Sequence, residues 1–198
     1  MERIVELRSG AIVAQRHREL TSIIAMMIAL GSWTMMFGAL FMVYVGLRAQ
    51  ALSWPPPGLQ LPFVLPAAST AAILLSSYTL SSALHQLRLG SRLQAVRLIG
   101  VTFALGWVFV GLQTLLWRGL WLDGITTATG ALGTVVYGLT VLHAIHVVAG
   151  LGVLGWLLLF AIRGGQIDRR VLTLRLCGMF WHFVDAVWVL MFVGMFLL

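Results

Sequence analysis

Four histidines and one aspartate lie within long apolar runs of this 198-residue chain, where ionisable side chains are costly and often mark function. His143 and His146 are three residues apart, and so are His182 and Asp185, so each pair shares one face of a helix. His85 lies near the end of another apolar run. These residue types could bind a metal or haem, relay protons, or join helices by hydrogen bonds.

A haem or compact metal site needs its ligands at nearly the same depth. At ~1.5 Å per residue from the ends expected to be cytoplasmic, His85 lies roughly 5 Å deep, His182 about 12 Å, His146 about 24 Å and His143 ~5 Å further. No carboxylate or thiolate is expected level with the last two on another helix. We therefore predict no catalytic residue and no metal or haem site in this chain.

A proton relay needs several titratable groups along a path, and Asp185 is the single carboxylate within an apolar run. Buried charges persist when they are paired, and in hydrocarbon the partners must come from neighbouring helices. Such hydrogen bonds fix the register and rotation of the helices. We therefore interpret five residues as polar anchors within the membrane, namely His85, His143, His146, His182 and Asp185.

The composition is that of a membrane protein. Hydrophobic residues make up 60% of the chain, charged residues 10%, and the mean hydropathy is +0.98, whereas soluble domains carry about 25% charged residues. The net charge of +7 comes from arginines that lie between apolar runs, which indicates membrane topology and excludes a nucleic-acid-binding face. Cys177 is alone, so no disulfide is expected.

Five segments are long enough to cross a bilayer core of about 30 Å, for which roughly 20 apolar residues suffice. Residues 1–19 are expected to form a cytoplasmic tail, and 20–198 an all-α transmembrane domain. The sequence WPPPGLQLP at 54–62 predicts an extended connection, because proline lacks an amide donor. The predicted spans are about 20–47, 64–87, 95–117, 130–161 and 172–198.

The arginines predict the orientation of these spans. All but two of the 13 lie in the tail and in the connections 88–97 and 163–175, and the exceptions are Arg48 and Arg118. By the positive-inside rule, the N-terminus is then cytoplasmic and the C-terminus is outside. An odd number of spans also requires the termini to lie on opposite sides, so the span count and the charge bias agree.

The segment WHFVDAVW at 181–188 resembles the most specific motif of subunit III of the haem–copper terminal oxidases, in a shorter five-helix form. Four other segments are similar to motifs of that family in the same order, so the resemblance covers nearly the whole chain. They are WPPPG followed by LP, ILLSSYTLSSALHQLRLGSR with His85, LQAVRLIGVTFALGWVFVGLQ with Gln113, and YGLTVLHAIHVVAG with the paired histidines.

The resemblance implies an accessory subunit of a respiratory oxidase in the bacterial inner membrane, which reduces O₂ to water and couples this to proton translocation. It implies haem and copper in partner subunits I and II and none in this chain, with cytochrome c or quinol engaged only through the complex. It also implies bound phospholipid, with Arg163 as a candidate for the head group. The family often carries two glutamates where this chain has Trp33 and Leu115 or Leu116, so no proton-supply role carries over to those positions.

Three alternatives remain open. The chain could be the third subunit of a quinol oxidase or of a nitric-oxide reductase cluster. It could be a stand-alone haem or metal membrane redox protein, which the different histidine depths disfavour. It could also be a small transporter, which the uninterrupted helices and the lack of an evident repeat disfavour.

Overall fold

The structure, a computed structural model, describes the backbone of residues 2–50, 63–124, 126 and 130–197. Five long α-helices account for most of it, and a short 3₁₀ turn, Ile167–Arg170, leads into the last of them. A π-helical segment, Val193–Leu197, extends the last helix. The helices are α1 Glu2–Gln50, α2 Val64–Arg88, α3 Arg92–Leu122, α4 Ala131–Ile162 and α5 Val171–Phe192.

The predicted all-α architecture with five membrane-spanning helices is confirmed, because each of the five helices is long and apolar enough to cross a bilayer. α1 continues without a break from the first apolar run back to Glu2. The predicted proline-rich connection at 54–62 lies outside the described residues. The side of the membrane that each terminus faces, and the division at residue 20, stay predictions.

Two connections at one end of the bundle are tied together. α2 and α3 are joined by a tight turn in which Gly90 has a φ of 78°, a left-handed conformation that favours glycine. Arg92 begins α3 and donates a hydrogen bond of 2.5 Å to the carbonyl of Gly165, which lies in the α4–α5 connection. A single guanidinium thus links the α2–α3 hairpin to the α4–α5 connection.

Trp181 of α5 fills a notch between α3 and α4. Its ring lies so close to Gly106 and Gly150 that a Cβ atom at either position would approach ring carbons to 3.0 Å and 2.9 Å, respectively. The indole N–H donates to Ser76 Oγ on α2 at 2.9 Å. One buried side chain therefore contacts three other helices, and the glycines are required because only a missing side chain leaves room for it.

α1 packs on the bundle through a narrow stripe, in which Phe37 and Tyr44 are buried. Near its end, Tyr44 and Arg48 both donate to the carbonyl of Gly194, at 3.2 Å and 2.8 Å. That carbonyl lies in the π-helical segment, where wider turns change the regular hydrogen-bond pattern. Donors near the end of α1 thus satisfy a backbone carbonyl near the end of the last helix.

Gly150→Ala should lower the Tm of the chain in lipid nanodiscs by several degrees, because overpacking a close contact costs about 1–3 kcal/mol. Gly152→Ala is the matched control, since a Cβ there would meet nothing within 4 Å. The control should leave Tm unchanged or slightly raised, because alanine favours helix over glycine. Equal Tm values for the two variants would contradict the close contact between Gly150 and the Trp181 ring.

Candidate functional site

The polar residues of WHFVDAVW meet serines of α2. Ser77 donates to Asp185 Oδ2 and also lies 2.8 Å from His182 Nδ1. Ser81, one turn along α2, lies 3.1 Å from His182 Nε2. Both nitrogens of His182 and one carboxylate oxygen of Asp185 are therefore hydrogen-bonded across the α2–α5 seam.

One assignment of protons satisfies this network with a neutral imidazole. The Ser81 hydroxyl donates to Nε2, Nδ1–H of His182 donates to Ser77 Oγ, and the Ser77 hydroxyl donates to Asp185. Asp185 is only 4% exposed, and its other oxygen has no hydrogen-bond partner among the described residues. The network therefore runs from an exposed histidine to a buried carboxyl group and joins two helices.

Two further hydrogen bonds continue the same seam. Trp188 donates to Thr70 Oγ1 at 3.0 Å, and Trp181 donates to Ser76 Oγ at 2.9 Å. The small hydroxyl residues of α2 were not among the residues that sequence reasoning selected. Their signal was present, however, in the recurrence of serine and threonine at helical spacing along that segment.

His143 lies in the interior of the bundle and is fully buried. Aromatic rings of three helices surround it, with centroids 6.4 Å away for Phe37, 5.7 Å for Phe109 and 5.4 Å for Trp188. Neither of its nitrogens has a hydrogen-bond partner among the described residues, and the same holds for both amide atoms of the buried Gln113. The contacts of its ring with described residues are thus aromatic packing contacts.

His146 bonds its own helix, with Nδ1 2.7 Å from the carbonyl of Leu142. Its ring also packs on Trp33 of α1 and on Phe180 of α5, at centroid distances of 5.4 Å and 6.4 Å. Since Phe180 is two residues from His182, these two histidines differ less in depth than the sequence count indicated.

The rings of His146 and His182 face different helices. His182 faces the serines of α2, whereas His146 faces the aromatic rings of α1. Across the residues that the structure describes, no three His, Cys, Asp or Glu side chains converge on a point that could hold a metal ion. The absence of a cofactor stays a prediction.

The remaining two predicted site residues lie at the surface. His85 is exposed in the last turn of α2 and its imidazole makes no hydrogen bond with a described residue, so its role as an anchor stays a prediction. Arg163 is exposed directly after α4, where it could reach a lipid head group. The structure therefore joins His182 to Asp185, and places the other predicted residues apart from this pair.

Taken together, the fold and the polar network define a multi-pass helical membrane protein. In its described part, His182 and Asp185 join α5 to α2. The sequence model of the family described as "Cytochrome c oxidase subunit III" matches residues 6–198. The chain belongs to the cytochrome c oxidase subunit III family.

Individual relatives agree with this assignment. "Cytochrome c oxidase subunit 3" of Formosania lacustris and that of Gadus morhua are each 32% identical to this chain over 145 residues. The same protein of Carassius auratus is 31% identical over 145 residues. Each alignment covers 72% of this chain and 54% of the relative, so the chain spans about half the length of the relatives that it matches.

Asp185→Asn should leave the Tm of the chain in nanodiscs close to that of the parent, because the amide retains an acceptor oxygen for Ser77. Asp185→Leu should lower Tm, because it leaves a hydroxyl without its partner in hydrocarbon, at a cost of about 1–3 kcal/mol. Asp123→Leu, at an exposed aspartate after α3, is the control and should have little effect. Equal losses for Asn and Leu at position 185 would refute the anchor.

Proposed function

We propose that this chain is the third, non-redox subunit of a respiratory haem–copper oxidase that reduces O₂ to water and couples this to proton translocation. The observation that carries the proposal is the family match over nearly all of the chain, including the helices that hold the network. Subunits I and II would carry the haem and copper. The complex would lie in a bacterial inner membrane, with the N-terminus of this chain in the cytoplasm.

The contacts of the polar residues support a structural role. The carboxyl group of Asp185 is engaged by Ser77, and the imidazole of His182 is held on both sides by serines. Side chains held in this way fix helix positions. Among the described residues they form no group of three or more His, Cys, Asp or Glu side chains that could hold a metal ion. The chain would thus support the catalytic subunit as a rigid neighbour in the membrane.

Removing this chain from the purified oxidase should leave the haem spectra unchanged and the initial rate of O₂ consumption measurable. Activity should then decay faster during sustained turnover than in the intact complex, because the catalytic subunit has lost a supporting neighbour. Co-purification of the tagged chain with a haem-bearing subunit is the first step of the test. Immediate loss of all activity with unchanged spectra would point instead to a direct catalytic role.

An Asp185→Asn complex separates support from proton relay in the same assay. The asparagine cannot titrate but keeps an acceptor for Ser77. An assembled, haem-replete complex with this substitution should consume O₂ near the parental rate. A collapse of that rate would favour the relay function and end the purely structural assignment of this residue.

Bound phospholipid is the second part of the proposal. An apolar groove of about 330 Å³ runs between α1, α4 and α5, and it is lined by Met26, Trp33, Val153 and Phe180 among others. A groove of this composition suits an acyl chain. Arg163 lies ~15 Å along α4 from Val153 at the helix rise of 1.5 Å per residue, so a phosphate there and a chain in the groove are compatible.

Arg163→Ala should lower the amount of anionic phospholipid that the purified protein retains, by about twofold or more, because basic residues at the membrane surface attract such head groups. Arg118→Ala is the matched control, as this arginine is exposed near the opposite end of the bundle. Lipid content is measured by mass spectrometry after detergent extraction. Equal retention in both variants would count against Arg163 as the head-group residue.

A further inference from the structure

One outward face of the bundle carries polar side chains well inside the membrane. On α2, three exposed residues, Tyr78, Ser81 and His85, follow one another at helical spacing. His182 of α5 is also exposed and adjoins Ser81, from which its Nε2 is 3.1 Å away. We refer to these four residues as the α2 polar stripe.

Tyr78 is the informative member of the stripe. It is 71% exposed, and at 1.5 Å per residue it lies ~21 Å from the start of α2 and ~15 Å from its end, close to the middle of a hydrocarbon core of about 30 Å. Its hydroxyl makes no hydrogen bond with any residue that the structure describes. A hydroxyl facing lipid tails at this depth would have no partner at all.

The outward face of α1 differs. Many of its exposed side chains in the apolar run are large and hydrophobic, and the hydroxyl groups of Ser32 and Thr34 are satisfied within the helix. Ser32 donates to the carbonyl of Ile28 at 3.1 Å, and Thr34 donates to that of Leu30 at 2.8 Å. This face suits acyl chains. Its exposed hydrophobic residues include Ile24, Met27, Ile28, Met35, Met42 and Val43.

We propose that the α2 polar stripe docks a transmembrane helix of a neighbouring chain of the oxidase, and this inference rests on the proposed function. The docked helix presents neutral hydrogen-bonding side chains at mid-membrane depth, where the Tyr78 hydroxyl can both donate and accept. Neutral partners fit because the first charged side chain beyond the stripe on α2 is that of Arg88, the last residue of the helix. Both nitrogens of His182 are already bonded to serines, so its ring offers a fixed surface for packing.

A competing face lies on α3. Trp107 is 50% exposed at a similar depth, and its indole N–H has no hydrogen bond with a described residue. It carries one donor, however, whereas the α2 stripe places polar side chains on successive turns. Intramembrane polar groups face protein or water more often than lipid. The α2 face carries more polar side chains than the α3 face, and it is therefore the better candidate for a protein partner.

Photocrosslinking in native membranes tests the docking face. A benzophenone amino acid replaces Leu74, which is 50% exposed one turn before Tyr78, so the stripe itself stays intact. The same probe replaces Met35 on α1 and Trp107 on α3 in separate samples. We expect a product of this chain with the haem-bearing subunit from position 74, and lipid adducts alone from position 35.

The other outcomes each contradict the inference. A product with the haem-bearing subunit from position 35 or 107 and none from 74 would move the docking face elsewhere and leave the proposed function standing. A product of twice the mass of this chain from position 74 would identify a second copy as the occupant. Lipid adducts from all three positions, without co-purification of a haem-bearing subunit, would overturn both the inference and the proposed function.

Tyr78→Phe tests the hydrogen bond itself, because it removes the hydroxyl and keeps the ring. The variant should be retained on the detergent-purified complex several-fold less than the parent, while the Tm of the isolated chain in nanodiscs stays unchanged. Met35→Leu is the control on the apolar face and should be retained like the parent. Parental retention of Tyr78→Phe would show that the hydroxyl has no partner in the complex and would overturn the proposal.

Discussion

The requirement that polar groups find partners inside the membrane governs the arrangement of this protein. Water is absent from the hydrocarbon core, so a bond to a neighbouring helix stabilises a hydroxyl, imidazole or carboxyl group there. The α2–α5 seam meets this requirement over most of its length. Trp188 bonds Thr70 at one end, Ser77 bonds Asp185 in the middle, and His182 lies between two serines nearer the other end.

Several packing features follow from that seam. Once α5 is set against α2, Trp181 enters the notch that Gly106 and Gly150 leave on α3 and α4. Trp188 similarly brings its ring against Phe109 and His143, at 4.9 Å and 5.4 Å between centroids. The hydrogen bonds fix the register, and the aromatic rings of the same helix then fix the positions of the next two helices. The WHFVDAVW segment thus serves as a structural centre.

The sequence predicted the helices better than their mutual geometry. Length and hydropathy are properties of each segment alone, so the five spans could be read from apolar runs. The serine partners of His182 were missed because they lie 101 and 105 residues away in the sequence. Such pairing depends on the rotation and register of two helices, which no single segment shows. The packing of His146 on Phe180 of α5 could not be predicted for the same reason.

The same hydrogen-bonding rule connects the interior of the chain to its surface. Ser77 touches both Asp185 and His182, and Ser81 touches His182 from the next turn, so bonded groups lead from a buried carboxyl to an exposed imidazole. Tyr78 lies beside these residues on the same helix, and its side chain is 71% exposed. Because the inner bonds fix the position of α2 against α5, they also fix the positions of the outer groups on α2. The docking that we propose between chains would therefore depend on the same polar seam that anchors the helices within the chain.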